Sequence, residues 1–340
     1  MRLYQGAVFA TLLSLAAVAA AQNYHVSNRW KLGGQGGWAY MVSDDTAHRL
    51  YITHNSRVEV LDSRTGKPVG AVTGLKSTHG VALNPDGKIG YISDGAGNSI
   101  AVFDRATLSI IATVAAGTNP DGIVFEPTTK TVWAFNGRSK DVSVLNTSSN
   151  SIIATVPLHG KPEFPQVDEH GAVFVNIEDK NIIVKLDAAT QQEVATWPLN
   201  GCESPTGMAI DRTKHRLFSV CDGGKMAIVD YSSGKLLDLA SIGDSPDAAG
   251  FDSNRRLAFS SNGGDATLSI IDTTKPGFPT TQTVKTAKGA RTMTLDASTG
   301  RVYLVTAEFT AAPPTTATAA TPHPRATPVP GSFEVLVVEK

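Results

Sequence analysis

Residues 80–117 read "GVALNPDGKIGYISDGAGNSIAVFDRATLSIIATVAAG" and contain four short apolar segments, at 81–83, 89–93, 99–103 and 109–115. Turn-forming residues separate these segments, among them Asn84-Pro85-Asp86-Gly87, Asp94-Gly95 and Asp104. Alternating apolar residues interrupted by Gly, Pro, Asn and Asp are typical of β-strands joined by tight turns. The stretch therefore predicts one unit of four antiparallel strands.

The same plan repeats along the chain. In each unit the first strand is followed by a short polar turn, and these strands end at Val42, Leu83, Phe125, Val167, Ile210, Phe251 and Leu295. The ends are 41 to 44 residues apart, and a period of about 40–45 residues is typical of a four-stranded propeller blade. The sequence thus predicts an all-β fold, a seven-bladed β-propeller.

The last unit lacks a fourth strand, because only "RVYLVTAEF" (301–309) and "SFEVLVVEK" (332–340) follow its first strand. An unfilled position would leave an open sheet edge. Residues 24–32, "YHVSNRWKL", precede the first inner strand as "EVATWPL" (193–199) precedes the fifth, with Trp30 and Trp197 in corresponding positions. We therefore expect the N-terminal strand to complete the last blade and close the ring.

A series of short polar side chains follows the third strand of six units: Asp62, Asp104, Asn146, Asp187, Asp230 and Asp272. Asp and Asn in this position accept hydrogen bonds from the backbone of their own turn. We interpret the series as turn caps and not as metal ligands.

The units resemble the YVTN-repeat β-propeller family, the YncE-like exported bacterial proteins. The resemblance rests on the inner-strand starts "NPDGIVFEP" and "SPTGMAIDR" and on the second strands "RLYITHN", "IGYISDG", "RLFSVCD" and "RVYLVTA". Related seven-bladed propellers include lactonases, quinone-binding dehydrogenase subunits, haem-carrying reductase domains and binding scaffolds. The resemblance implies the fold and export, whereas function has to be argued from the site.

Residues 1–21 have one basic residue, an apolar stretch and a small-residue end, which indicates a secretory signal peptide. We expect a single domain at 22–340 in the mature protein, periplasmic or secreted, monomeric and not membrane-spanning. The formal charge of −1 gives no sign of nucleic-acid binding.

The chain has two cysteines, Cys202 before the fifth inner strand and Cys221 at the end of the second strand of that unit. In an oxidising compartment this placement predicts a disulfide, with a soft metal site as the alternative. Covalent haem is excluded because the sequence has no Cys-x-x-Cys-His.

The loops that enter the inner strands surround one end of the central channel, here called the funnel mouth. Four positions before each of the seven strand ends given above, the blades contribute Trp38, His79, Asp121, Glu163, Thr206, Asp247 and Arg291. Three carboxylates and one guanidinium leave a formal charge of −2 with the histidine neutral, which favours a cation. The neighbouring loops between second and third strands add Arg138 and Glu178.

His79, Asp121 and Glu163 come from consecutive blades and form a donor set suited to a divalent metal ion. The alternative is that they pair with Arg291, with backbone amides and with water. Trp38 either stacks on a ligand or partner, or covers the ring closure beneath it.

Three functions are consistent with this mouth. The favoured one is an exported binding protein that takes a small ligand, a metal ion or an envelope protein there. The second is a metal-dependent, lactonase-like hydrolase with Glu163 or Asp247 as base, although the sequence has neither Gly-x-Ser-x-Gly nor His-Glu-x-x-His. The third is a cell-envelope scaffold that uses Trp38 and the Pro/Thr/Ala-rich insertion at 310–331.

Overall fold

The computed structural model describes residues 23–310 and 327–340, which form 28 strands and a single-turn 3-10 helix at Glu178–Lys180. The strands make seven sheets of four, and neighbouring strands within each sheet are antiparallel. The strands next to the channel are β2 (Trp38–Asp44), β6 (Thr78–Leu83), β10 (Pro120–Glu126), β14 (Pro162–Val167), β18 (Met208–Asp211), β22 (Pro246–Asp252) and β26 (Thr292–Asp296).

The three outer positions of each blade follow in chain order. The second strands are β3 (Arg49–His54), β7 (Ile89–Asp94), β11 (Thr131–Asn136), β15 (Ala172–Ile177), β19 (Arg216–Cys221), β23 (Leu257–Asn262) and β27 (Arg301–Thr306). The third strands are β4 (Arg57–Asp62), β8 (Ser99–Asp104), β12 (Asp141–Asn146), β16 (Ile182–Asp187), β20 (Lys225–Asp230), β24 (Thr267–Asp272) and β28 (Glu334–Glu339). The outermost strands are β5 (Pro68–Val72), β9 (Ile110–Ala115), β13 (Ser151–Pro157), β17 (Gln192–Pro198), β21 (Lys235–Ser241), β25 (Thr280–Lys285) and β1 (His25–Lys31). The predicted seven-bladed propeller is confirmed.

The core lies between adjacent blades. The second strands are buried on both faces, as in β11, where every residue is buried, whereas the outermost strands alternate between half-buried and exposed residues. Trp133 and Phe135 of the third blade pack in one cluster with Val173 and Val175 of the fourth. Apolar burial between blades is the main favourable term that holds such a ring together.

The N-terminal strand closes the ring, as predicted. β1 pairs with β28 in the last blade, with Trp30 opposite Val335. Just before β1, the Tyr24 backbone N–H donates to Gln282 Oε1 at 3.0 Å, and Gln282 Nε2 donates back to the Tyr24 carbonyl at 2.6 Å. β1 therefore completes the seventh blade and is also fastened to the sixth.

The two tryptophans that correspond in sequence occupy equivalent places in the fold. Trp30 is in β1 and Trp197 is in β17, and each packs over a glycine in the turn that follows the third strand of the next blade. A Cβ at Gly66 would lie 2.2 Å from the Trp30 ring, and one at Gly234 would lie 2.2 Å from the Trp197 ring. Both contacts require a residue without a side chain at the turn.

The predicted turn caps are confirmed. Asp104 Oδ1 accepts hydrogen bonds from the backbone N–H groups of Ala106 (2.9 Å) and Thr107 (2.7 Å). Asp62, Asn146, Asp187, Asp230 and Asp272 accept equivalent bonds in their own blades. These carboxylates and the amide are occupied by their turns.

The predicted disulfide between Cys202 and Cys221 is present in the fifth blade, with 5.3 Å between the Cα atoms. It lies beside an isolated bridge between Glu203 and Asp222. In the chain-entropy model a closed loop of this length stabilises a fold by roughly 3 kcal/mol.

Two expectations concern residues outside the described ranges. The signal peptide at 1–21 lies there, and so does most of the insertion at 310–331, whose described ends are joined by a hydrogen bond from Thr310 N to Thr327 O of 2.9 Å. Within 23–310 and 327–340, no helix is long and apolar enough to cross a membrane.

Candidate functional site: the funnel mouth

The predicted mouth residues lie where the inner strands begin. His79, Asp121, Glu163 and Asp247 are each the second residue of an inner strand, and Trp38 is the first residue of β2. The pairing of these five strands with their neighbours is irregular at this point. A β-bulge changes the direction of the side chains beside it, so the start of each inner strand departs from the regular alternation below it.

His79 and Asp121 form a pair between the second and third blades. His79 Nδ1 lies 3.3 Å from Asp121 Oδ1, and both side chains are largely buried. Burial alone lowers the pKa of His79, but the hydrogen bond to Asp121 and the charges of Asp121 and Asp94 outweigh it and raise the pKa. The contact with Asp121 therefore stabilises the protonated form of His79.

Glu163 is held by Lys161, which also binds Glu178. Lys161 Nζ lies 2.7 Å from Glu163 Oε1 and donates a short hydrogen bond to Glu178 Oε2. Burial, followed by the charge of Asp121, raises the pKa of Glu163 to about 8 in spite of the attraction of Lys161. Glu163 thus binds a proton at a pH where an exposed glutamate is ionised.

Asp247 and Arg291 form a third charged pair at the opposite side of the mouth. Arg291 Nε lies 3.4 Å from Asp247 Oδ2, and the arginine side chain is exposed. Burial raises the pKa of Asp247, Arg291 lowers it, and the charges of Asp121 and Glu178 raise it further. The influence of Asp121 on both Glu163 and Asp247 shows that carboxylates from three blades act on a common space.

Tyr40 lies at the inner end of the mouth. Its ring packs on Phe164 across the channel, with 4.2 Å between ring centroids. Its Oη is buried and has no hydrogen-bond partner within the described residues. Burial and then the charges of Asp121, Glu163 and Asp247 raise the pKa of Tyr40 well above 10. A buried hydroxyl without a partner costs free energy.

Polar residues of the second strands hold the mouth backbone in place. Ser93 Oγ donates to the Asp121 carbonyl, Asn176 Nδ2 donates to the Thr206 carbonyl at 2.8 Å, and Ser261 Oγ donates to the Arg291 carbonyl. In each case the donor belongs to the preceding blade, so these side chains set the position of one blade's mouth residue against its neighbour. Such support limits the movement of the charged groups that the channel brings together.

Not every predicted mouth residue joins this cluster. Trp38 packs on Phe309 and Phe333, with ring centroids 6.1 and 5.1 Å apart, which is the covering role over the ring closure. Thr206 Oγ1 donates to the Pro246 carbonyl at 3.4 Å. Arg138 is exposed in the turn between β11 and β12.

The donor set predicted for a metal ion is divided between two ion pairs. His79 pairs with Asp121, whereas Glu163 pairs with Lys161. Among residues 23–310 and 327–340, no group of three or more His, Cys, Asp or Glu side chains is placed to hold a metal ion. A metal at the mouth stays a prediction without support from this geometry.

Sequence reasoning missed Tyr40 and Lys161. Tyr40 is two residues after Trp38 on the same strand, and Lys161 is two residues before Glu163, immediately before β14. A spacing of two gives no signal here, because the pairing is irregular between Trp38 and Met41 and between Pro162 and Pro165, and Lys161 precedes its strand. Their contacts with Phe164 and Glu178 join segments that are distant in sequence, and no local pattern indicates those.

No family model matches the chain, and no match was found among curated proteins. Solved structures do match. The chain is similar to a chain of Kuenenia stuttgartiensis hydrazine synthase (15% identity, TM-score 0.71, 79% of this chain and 92% of that one). It is also similar to U3-55K (12%, 0.73, 93% and 98%) and to the WD40 repeats of RRP9 (12%, 0.74, 94% and 98%). At these identities the comparisons show the fold, and together with the seven sheets they define a seven-bladed β-propeller.

Proposed function

We propose that the protein is an exported propeller of the YVTN type that binds a small ligand through a cationic group at the funnel mouth. The observation that carries the proposal is the Tyr40 hydroxyl, buried and without a partner among the described residues, within the field of carboxylates from three other blades. A propeller scaffold is compatible with a binding or interaction role, and the chemistry of this mouth indicates the ligand class.

The electrostatics of the mouth favour a cation for a physical reason. Four carboxyl groups, on Asp121, Glu163, Glu178 and Asp247, are accompanied by two permanent cations, Lys161 and Arg291, with His79 beside Asp121. The raised pKa values of Glu163 and Asp247 mean that their ionised forms are under-stabilised. A bound cation would stabilise those ionised forms, and Tyr40 Oη would accept a hydrogen bond from an ammonium group.

This arrangement makes binding depend on pH. Because the pKa of Glu163 is raised to about 8, the carboxyl group is mostly protonated at neutral pH and has to release a proton when a cation binds. Affinity for a cation should therefore rise from about pH 6 to about pH 9.

The test is calorimetric titration of the mature protein at low salt with methylammonium, putrescine and tetramethylammonium chlorides, each at about pH 6 and pH 9. At least one probe should bind saturably and more tightly at the higher pH, with proton release that depends on the buffer. Asp121→Asn should weaken binding about tenfold or more, whereas Asp104→Asn, which removes an equal charge from a turn of the opposite face, should leave it unchanged. Absence of saturable binding by all three probes, or equal loss in both variants, would overturn the proposal.

The hydrolase hypothesis gains no such support. It requires a metal ion at His79, Asp121 and Glu163, and the described residues bring no group of that kind together. Glu163 with a pKa of about 8 is also protonated under conditions in which a general base has to be ionised. Titration with Ca²⁺ and Zn²⁺ alone, alongside the organic cations, checks the metal directly.

A further inference from the structure

A cavity of about 830 Å³ occupies the other half of the central channel. It begins at Tyr40 and Phe164 and extends to the loops that join the first and second strands, where Pro85, Pro127 and Ala297 lie. The seven predicted mouth residues do not line it. The cavity is therefore a separate space that faces the side of the ring opposite the funnel mouth, here called the lower cavity.

The side chains that line the lower cavity are mainly apolar. The cavity is lined by the seven residues whose spacing defines the repeat, which are Val42, Leu83, Phe125, Val167, Ile210, Phe251 and Leu295. Five of these seven side chains are only partly buried, although they belong to the innermost strands. Apolar surface that stays accessible inside a fold favours an apolar occupant.

The backbone of the inner strands supplies hydrogen-bonding groups as well. Each inner strand is the edge of its sheet on the channel side, and a strand edge presents unpaired N–H and C=O groups. An occupant with one or two polar atoms can therefore be oriented without a charged partner.

The charged groups of the lining cancel each other. Glu169 and Arg212 are the lining residues with charged side chains, and Arg212 Nη2 lies 3.1 Å from Glu169 Oε1. Arg212 is further held by donating from Nε and Nη2 to the Val167 carbonyl, at 3.1 and 2.8 Å. The lining of the lower cavity has no excess charge with which to attract an ion.

We infer that the lower cavity is a second binding site, for an uncharged small molecule with an apolar body and one or two polar atoms, which enters from the face opposite the funnel mouth. The volume lies within the range of about 300–1,000 Å³ common for small-molecule sites. Tyr40 and Phe164 lie at the boundary between this site and the ionic mouth, and the charged residues of the mouth do not line the cavity, so the two sites differ in ligand class. The inference does not depend on the function proposed for the mouth.

The test uses two fluorescent probes that share one aromatic body. N-phenyl-1-naphthylamine is uncharged, and 1-anilinonaphthalene-8-sulfonate is the same molecule with an added sulfonate. The uncharged probe should bind the mature protein saturably, with one site per chain, and about tenfold or more tightly than the sulfonate. Equal or tighter binding of the sulfonate would overturn the ligand class.

Substitutions in the cavity test whether the probe binds there. Ala249 lines the cavity and is half-buried, so Ala249→Phe should fill it and weaken binding about tenfold or more. The matched control is Ala106→Phe, the same substitution at an exposed position outside the lining, which should leave binding unchanged. If Ala249→Phe fails to fold by circular dichroism, Ala297→Trp at the loop rim tests the same entrance.

Two results would overturn the site. One is the absence of saturable binding by the uncharged probe. The other is binding that is equal in Ala249→Phe and the wild type, since a probe on exposed outer-strand residues such as Ile111 or Val194 would not respond to filling of the channel.

Discussion

Glu163 links the protonation of one side chain to the stability of the whole ring. Burial and the charge of Asp121 raise the pKa of this carboxyl from its usual 4.5 to about 8. A raised carboxyl pKa means that the folded state binds a proton that the unfolded state has already lost. The contribution of Glu163 to stability therefore becomes less favourable as pH rises from about 4.5 to about 8.

We expect Glu163→Gln to remove this loss of stability with rising pH. Glutamine is uncharged at every pH, so the free energy of unfolding of the variant relative to the wild type should increase from pH 5 to pH 9, by roughly 2–4 kcal/mol. Urea unfolding at pH 5, 7 and 9 measures the difference. A difference that stays constant, or that falls with pH, would contradict the prediction.

Asp104→Asn provides the control for Glu163→Gln. Hydrogen bonds from the Thr107 backbone and hydroxyl lower the pKa of Asp104, so this carboxyl is ionised in both the folded and the unfolded states from pH 5 upward. Its stability contribution is fully present above its unfolded pKa and is lost only in acid. The effect of Asp104→Asn should therefore be the same at all three pH values.

Residues that act within their own turn were predictable from the sequence, and residues that act across the channel were not. Asp104 caps its turn through bonds to Ala106 and Thr107, two and three residues later, which a local pattern indicates. The position of Asp121 beside the mouth also followed from the repeat. The partner of Tyr40 is Phe164, on the other side of the ring, and only the closed structure brings these two residues together.

At the scale of strands and turns, a tryptophan of the outermost strand in two blades packs on the turn that follows the third strand of the next blade. Trp30 of β1 covers Gly66, and Trp197 of β17 covers Gly234. Both glycines have positive φ angles, +71° and +75°, which residues with a Cβ adopt only at a cost. A side chain at either glycine would also occupy the space of the indole ring.

We expect Gly66→Ala and Gly234→Ala each to lower the free energy of unfolding by about 2–4 kcal/mol, through backbone strain and displacement of the tryptophan. Gly87→Ala is the matched control, because Gly87 has a φ of +77° but a Cβ added there would meet no atom within 4 Å. It should show the backbone cost alone, about 1 kcal/mol. Chemical denaturation compares the three variants, and equal losses would show that the tryptophan contact contributes nothing.

The spacing of Trp30 and Trp197 indicated that the two strands are equivalent, and the structure confirms it. The irregular pairing at the start of five inner strands was not predictable in the same way. At one of these strands, β10, the Asp121 carbonyl accepts a hydrogen bond from Ser93 of the preceding blade, a contact between blades that no local pattern indicates. The sequence therefore predicted which residues surround the mouth, and left open how they pair.

For the whole molecule, closure of the ring depends on one strand. β1 supplies the outer edge of the seventh blade, and Tyr24, just before it, is buried against Phe259 and hydrogen-bonded to Gln282 of the sixth blade. Removal of this segment would expose the edge of β28 and the apolar surface beneath Tyr24 and Trp30.

We expect deletion of residues 23–31 to lower the free energy of unfolding by at least about 3 kcal/mol and to promote aggregation. Urea unfolding and light scattering measure the two effects. A synthetic peptide of residues 23–33 should restore stability when added in trans, whereas the same peptide with Trp30→Ala should restore less. Equal stability with and without the strand would contradict this account of closure.

The pairing of β1 with β28 also has a consequence for the time course of folding. During synthesis or transport β1 emerges before the other described strands, and its partner β28 emerges last among them, about 300 residues later. For that interval β1 is an unpaired strand next to nascent blades whose own edges are open, and pairing over so long a sequence separation is slow. The final step of folding is thus the meeting of two strands about 300 residues apart, and a factor that binds β1 before β28 is available would control when the ring is completed.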